Sequence, residues 1–189
     1  MDTYLHIRVL FSMILGLGVS HLLRGVARIM QHPKKYQVYW VHLVWSLFLF
    51  LYLLHFWWWE FRLQKIDPWT FPLYFLIAMY AMLLYLLCTL FFPDEMDDYE
   101  GFREYFYSRR RWIFGFLCLL FVVDVADTLI KGVPYLRALG PVYYVRTVLY
   151  LVLSLIAMKT DSRRFHAAFA VFATADEIGY IWTSFYTLG

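Results

Sequence analysis

The chain has 189 residues, of which 62% are hydrophobic, 22% aromatic and only 16% charged, with a formal net charge of +3. Soluble domains average about 45–50% apolar and about 25% charged residues, so this composition excludes an ordinary soluble globule and points to a membrane protein. Lys and Arg gather in particular loops, a pattern that reads as membrane topology and argues against nucleic acid as a partner.

A hydrocarbon core of about 30 Å takes about 20 residues of helix. Six windows of that kind follow one another, at about 5–27, 37–60, 69–92, 112–131, 141–158 and 165–188. The predicted fold is all-α, a polytopic membrane protein forming one domain over 1–189, a bundle of six transmembrane helices with the lipid bilayer as partner. The first window offers Gly16, Gly18 and Ser20 as small contact positions. No A-x-A cleavage site follows it, so it reads as a retained span and not as a signal peptide.

The second window has Tyr36, Tyr39 and Trp40 at one end and Trp57, Trp58 and Trp59 at the other, the pattern of two interfacial aromatic belts. The third has no charged residue and is predicted to be the most lipid-facing. Residues 93–111 begin acidic, continue with Phe102, Tyr105 and Phe106 between charges, and close with Arg109–Arg111 against Trp112. That order predicts a solvated loop with a short interfacial helix, in contact with anionic lipid or a partner protein. Its acidic run lacks the Gly and closing Glu of an EF-hand. Gly140-Pro141 breaks the chain before the fifth window, and Ala175 and Gly179 in the sixth form a small-xxx-small pattern suited to close helix contact. A homo-oligomer is compatible with all of this.

Eleven basic residues fall on one side of the six-span layout: Arg24, Arg28, Lys34, Lys35, Arg103, Arg109, Arg110, Arg111, Lys159, Arg163 and Arg164. Five fall on the other: Arg8, Arg62, Lys65, Lys131 and Arg137. The positive-inside rule then makes the eleven cytoplasmic and both termini external. A faint echo between HLLRGV (21–26) and TLIKGV (128–133) raises the question of an inverted three-plus-three repeat.

Function is sought in charges inside the spans, where each costs roughly 2.5–3.5 kcal/mol on insertion scales. Asp124 and Asp127 lie three apart on one face of the fourth window, Arg146 in the fifth, and Asp176 and Glu177 in the sixth. One arginine does not neutralise four carboxylates. Two readings follow: a structural ion-pair network that fixes helix register, or a site in which the surplus carboxylates bind a cation or exchange a proton. His21 and His42, near the same ends of adjacent spans, form a secondary polar set able to meet across helices, by hydrogen bonding or around a metal or haem. His42 and His55 are 13 residues apart, about 220° around a helix, so they do not share a face. Cys88 and Cys118 have no metal spacing and read as buried apolar side chains. No hydrolase, phosphate-loop or metalloprotease signature is present, so neither an enzyme nor a cofactor is expected.

The stretches GLGVSHLLRG (16–25), YWVHLVWSLFLF (39–50), FWWWEF (56–61), WTF (69–71) and RRRW (109–112) resemble a group of bacterial six-span membrane proteins with no assigned activity. The resemblance runs over roughly residues 10–115 and implies a bacterial inner-membrane location. It implies no substrate and no site residues. The reading that joins these observations is a small transporter or channel for a proton, cation or small polar solute. Asp124, Asp127, Asp176 and Glu177 would form its site, and Arg146 their charge partner. The alternative is a membrane scaffold or accessory subunit in which the same network is structural.

Overall fold

The computed structural model describes residues 3–33, 35–65 and 68–184. Lys34, the side chains of Arg62 and Lys65, and stretch 185–188 of the sixth expected span lie outside the described residues. Seven α-helices account for most of the rest, and no strand occurs among the described residues. They are α1 (Thr3–Gln31), α2 (Trp40–Glu60), α3 (Phe71–Phe91), α4 (Phe102–Ile130), α5 (Val133–Ala138), α6 (Gly140–Lys159) and α7 (Arg163–Ser184). A 3-10 turn, Phe61–Lys65, continues from α2.

Five of these helices, α1, α2, α3, α4 and α6, contain segments long and apolar enough to cross a membrane. Helix α7 is as long but less apolar, because its 22 residues include Arg163, Arg164, His166, Asp176 and Glu177. Length and apolarity therefore support five crossings. Helix α7 nevertheless lies along α2: Trp45 meets Phe169, Val44 meets Thr174, and His55 meets Glu177, so the two run in the same direction. His166, Asp176 and Glu177 point at neighbouring helices, which explains why a hydropathy average understates how well α7 fits a bundle.

The other pairings follow from side-chain size. Helix α1 lies along α3, where the Phe92 ring sits so close to Gly25 that a Cβ there would overlap it. Gly18 likewise admits Cys88 and Leu53. Helix α3 runs antiparallel to α4, and α4 antiparallel to α6, with Phe121 against Tyr150 and Gly115 near Met158. Trp45, Phe48, Phe106, Phe114, Tyr150 and Phe169 fill the centre of the bundle, all but excluded from solvent. Edge-to-face and offset contacts such as Trp45 with Phe114 suit the quadrupoles of these rings.

Several expectations change here. Helix α3 is not the most outward-facing: half of its apolar window is buried, against 28% for those of α1 and α6. It is held between α1 and α4. The interfacial helix expected inside 93–111 exists as the first turns of α4, which begins at Phe102 because Phe102, Tyr105 and Phe106 pack inward. Of the Trp57–Trp59 belt, Trp57 and Trp58 are exposed but Trp59 turns inward. The pairing of α1 with α3 has no counterpart in the second half, where α4 packs mainly on α3 and α6. The Ala175–Gly179 pattern faces outward, with no neighbour near Gly179.

Candidate functional site

The charges within the helices converge in the half of the bundle that contains the α2 C-terminus, the α4 C-terminus and the α6 N-terminus. Two ion-pair groups lie there, with a tyrosine–Asp124 hydrogen-bond chain beside them.

The first group centres on Arg146. Its Nε donates to Asp176 Oδ2 at 2.6 Å, and a second guanidinium nitrogen donates to Glu177 Oε2. The other Glu177 oxygen meets His55 Nδ1 at 2.7 Å. The Tyr150 hydroxyl donates to Asp176 Oδ2 at 3.0 Å. Arg146 also lies over the faces of Tyr180 and Tyr150, at 4.2 and 5.2 Å from the ring centroids. A planar guanidinium suits this double duty, with a fork for carboxylates and a flat face for rings.

The second group centres on Lys131. Its Nζ donates to Glu60 Oε1 at 2.8 Å and to Asp127 Oδ2 at 2.6 Å, and sits 5.2 Å from the Trp59 ring centroid. Asp127 and Lys131 are four apart on α4, so helical geometry alone brings them together. Glu60 is the last residue of α2, which makes this a clamp between two helix ends. All three side chains are buried.

Between the groups, Tyr80 donates to Asp124 Oδ1 at 2.9 Å and accepts from the Tyr52 hydroxyl at 2.9 Å. Tyr143 donates to Asp124 Oδ2, also at 2.9 Å, and its oxygen is 3.1 Å from Thr128 Oγ1. Among the described residues Asp124 thus has no cation partner, and it is held by two phenols. Hydroxyls from α2, α3, α4 and α6 form one connected chain around it, and such chains polarise along their length. A cavity of about 20 Å³ lies among Tyr52, His55, Glu60, Asp124, Tyr143 and Arg146. About 10–15 Å³ is enough for one water, so the space suits a water or a small bare cation and no larger solute.

All five residues expected at the site do come together here, but the charge count differs from the one made on the sequence. Arg146 is not the only cation: Lys131, expected in an outer loop, is buried against Asp127. Glu60, expected in the link after the second span, is a further buried carboxylate beside Asp124, Asp127 and Glu177, with Asp176 half-buried, and His55 contacts Glu177. Five carboxylates face Lys131, Arg146 and one histidine. Carboxylates outnumber cations in this cluster, and burial makes the surplus charge costly. One acceptor is open: Asp127 Oδ1 is buried and has no hydrogen-bond partner among the described residues.

The secondary set does not meet around a shared centre. His21 Nε2 contacts the Phe92 carbonyl oxygen at 2.8 Å, tying α1 to the end of α3. His42 is fully buried among Phe91, Phe92, Phe102 and Phe106. Among the described residues no group of three or more His, Cys, Asp or Glu side chains has a metal-binding arrangement. Comparison with family models, with curated proteins and with solved structures finds no match to this chain, so its function is read from its own geometry.

Proposed function

We propose that this chain is a six-span membrane protein that moves protons, or a water-sized cation, through the buried carboxylate cluster. The observation that carries the reading is the excess of carboxylates over cations in the cluster, beside a cavity big enough for one water that Glu60, Asp124 and Arg146 line. Charge balance in a low-dielectric setting requires exchangeable positive charge, and a proton is the smallest. Asp124, Asp127, Asp176 and Glu177 form the exchanging set, and Arg146 holds Asp176 and Glu177 in place. The size of the cavity favours a proton over any polar solute. Helix α7 makes the sixth crossing, with Asp176 and Glu177 turned to α2 and α6. The eleven-to-five distribution of Lys and Arg supports an inner-membrane orientation with both termini outside.

The test is proton flux in liposomes containing the purified protein and an internal pH-sensitive dye. Asp124→Asn is expected to abolish dissipation of an imposed pH gradient while the variant keeps its helicity and elutes as the unaltered protein does. Flux through Asp124→Asn equal to that of the unaltered chain ends the assignment of Asp124. Protein-free leak rates in the unaltered chain end the transport reading itself.

The well-made pairs around Lys131 and Arg146 favour a second reading, a scaffold whose network only fixes helix register. In that case the liposomes show no flux, and the polar segment 93–101 would recruit a partner. Stoichiometric co-purification of a protein in mild detergent, lost on scrambling 94–101, supports the scaffold.

A further inference from the structure

A groove of about 460 Å³ lies at the opposite end from the carboxylate cluster. That is within the 300–1,000 Å³ range typical of small-molecule sites. Its walls come from the segment before α2 (Gln37, Val38, Tyr39, Trp40), the start of α4 (Gly101, Arg103, Glu104) and the start of α7 (Arg163, Arg164). Three arginines from two separate helices therefore border one concavity.

Several other basic residues at the same end are engaged by neighbours. Arg110 is bonded to Asp161 at 2.8 Å, Lys35 reaches Asp97 at 4.0 Å, and Arg109 donates to the Tyr99 hydroxyl. Arg103, Arg163 and Arg164 make no salt bridge and no side-chain hydrogen bond among the described residues. Two carboxylates, Glu100 and Glu104, line the same groove and still do not pair with them. Glu104 instead accepts the backbone N–H of Glu100 at 2.7 Å, which commits it to the start of α4. An exposed arginine is ordinarily a solvated one. Three that converge on a concave site without pairing keep their N–H donors open, and against Glu100 and Glu104 they leave the groove with a small net positive charge.

We propose that this groove binds the phosphate-bearing headgroup of an anionic phospholipid. Arginine guanidinium groups match phosphate oxygens in forked geometry. The groove opens at the end of the apolar helices, beside Trp40, which is 52% exposed, and Val38, which is 50% exposed. An aromatic ring and an apolar side chain at that level suit the glycerol backbone and first methylenes of a lipid. Free phosphate would use the arginines and gain nothing from Trp40 and Val38. The site is separate from the carboxylate cluster, so it stands whether or not the protein carries protons.

The experiment uses the full chain in nanodiscs of phosphatidylglycerol and phosphatidylcholine in equal parts, and reads by native mass spectrometry which lipid stays bound after release from the disc. Preferential retention of phosphatidylglycerol is expected, reduced by about fivefold for each arginine replaced in the series Arg163→Gln, Arg164→Gln and Arg103→Gln. Replacing Arg109 and Arg111 by Gln removes two charges at the same end and is expected to leave retention unchanged. The single variant Arg163→Gln, a surface change, carries the test if the combined variant does not fold. Equal retention of both lipids overturns the proposal. So does an equal loss in the Arg109/Arg111 control, which would indicate diffuse surface attraction. Displacement of the lipid by millimolar glycerol 3-phosphate overturns it in favour of a soluble phosphate ligand.

Discussion

At the residue scale, the decisive pair of facts is that Lys131 is buried and Asp124 has phenols where a cation was expected. Removing one partner of a buried ion group leaves the others uncompensated, at a cost of about 3–5 kcal/mol, far more than deleting the whole group. Lys131→Met is therefore expected to lower the thermal unfolding midpoint strongly in detergent. The combination of Lys131→Met with Glu60→Gln and Asp127→Asn is expected to recover most of that loss. A single variant as stable as the unaltered chain would show that the clamp contributes nothing. The sequence carried a signal for half of this clamp, the four-residue spacing of Asp127 and Lys131 on one helix. Glu60 had no such signal. It follows three tryptophans that read as the end of a span, and only the approach of α4 to α2 shows that its carboxylate faces inward.

At the scale of elements, the close passage of α1 over α3 depends on Gly25. The Phe92 ring occupies the space a larger side chain at position 25 would need, and overpacking of this kind costs about 1–3 kcal/mol. Gly25→Val should destabilise the fold by that order, read as a shift in thermal unfolding. Phe92→Ala in the same chain should recover part of the loss, giving a non-zero coupling in a double-mutant cycle. Additive effects would mean that the two residues do not press on each other. Helix α4 is the best example of an element whose length the sequence understated. Its polar, charged start resembles a loop, and only inward packing of Phe102, Tyr105 and Phe106 shows that the helix already runs there.

At the scale of the molecule, α7 decides the topology. Its direction along α2 and its level in the bundle predict that it crosses with the others. A reporter inserted between Thr160 and Asp161 and one fused after Gly189 should then report opposite sides of the membrane. The same side for both would leave five crossings. The two sites proposed above sit at opposite ends of the bundle, one negative and enclosed, the other positive and open. Disabling one should leave the other measurable: Asp124→Asn should retain phosphatidylglycerol as the unaltered chain does.

The sequence by itself determined the all-helical class, the approximate position of every long helix and the unusual presence of charge within them. Composition and run length carry that information locally, because each span must satisfy its own backbone in an apolar surrounding. It also identified Asp124, Asp127, Arg146, Asp176 and Glu177 as residues to explain. Helical phase places each of them on its own helix and says nothing of how neighbouring helices are rotated. Only the tertiary structure decided that Arg146 joins Asp176 and Glu177, that Lys131 joins Asp127 and Glu60, and that Asp124 is held by Tyr80 and Tyr143. Those contacts bridge residues far apart in the chain. They depend on the helix rotations that the packing of large aromatic side chains and Gly25 selects.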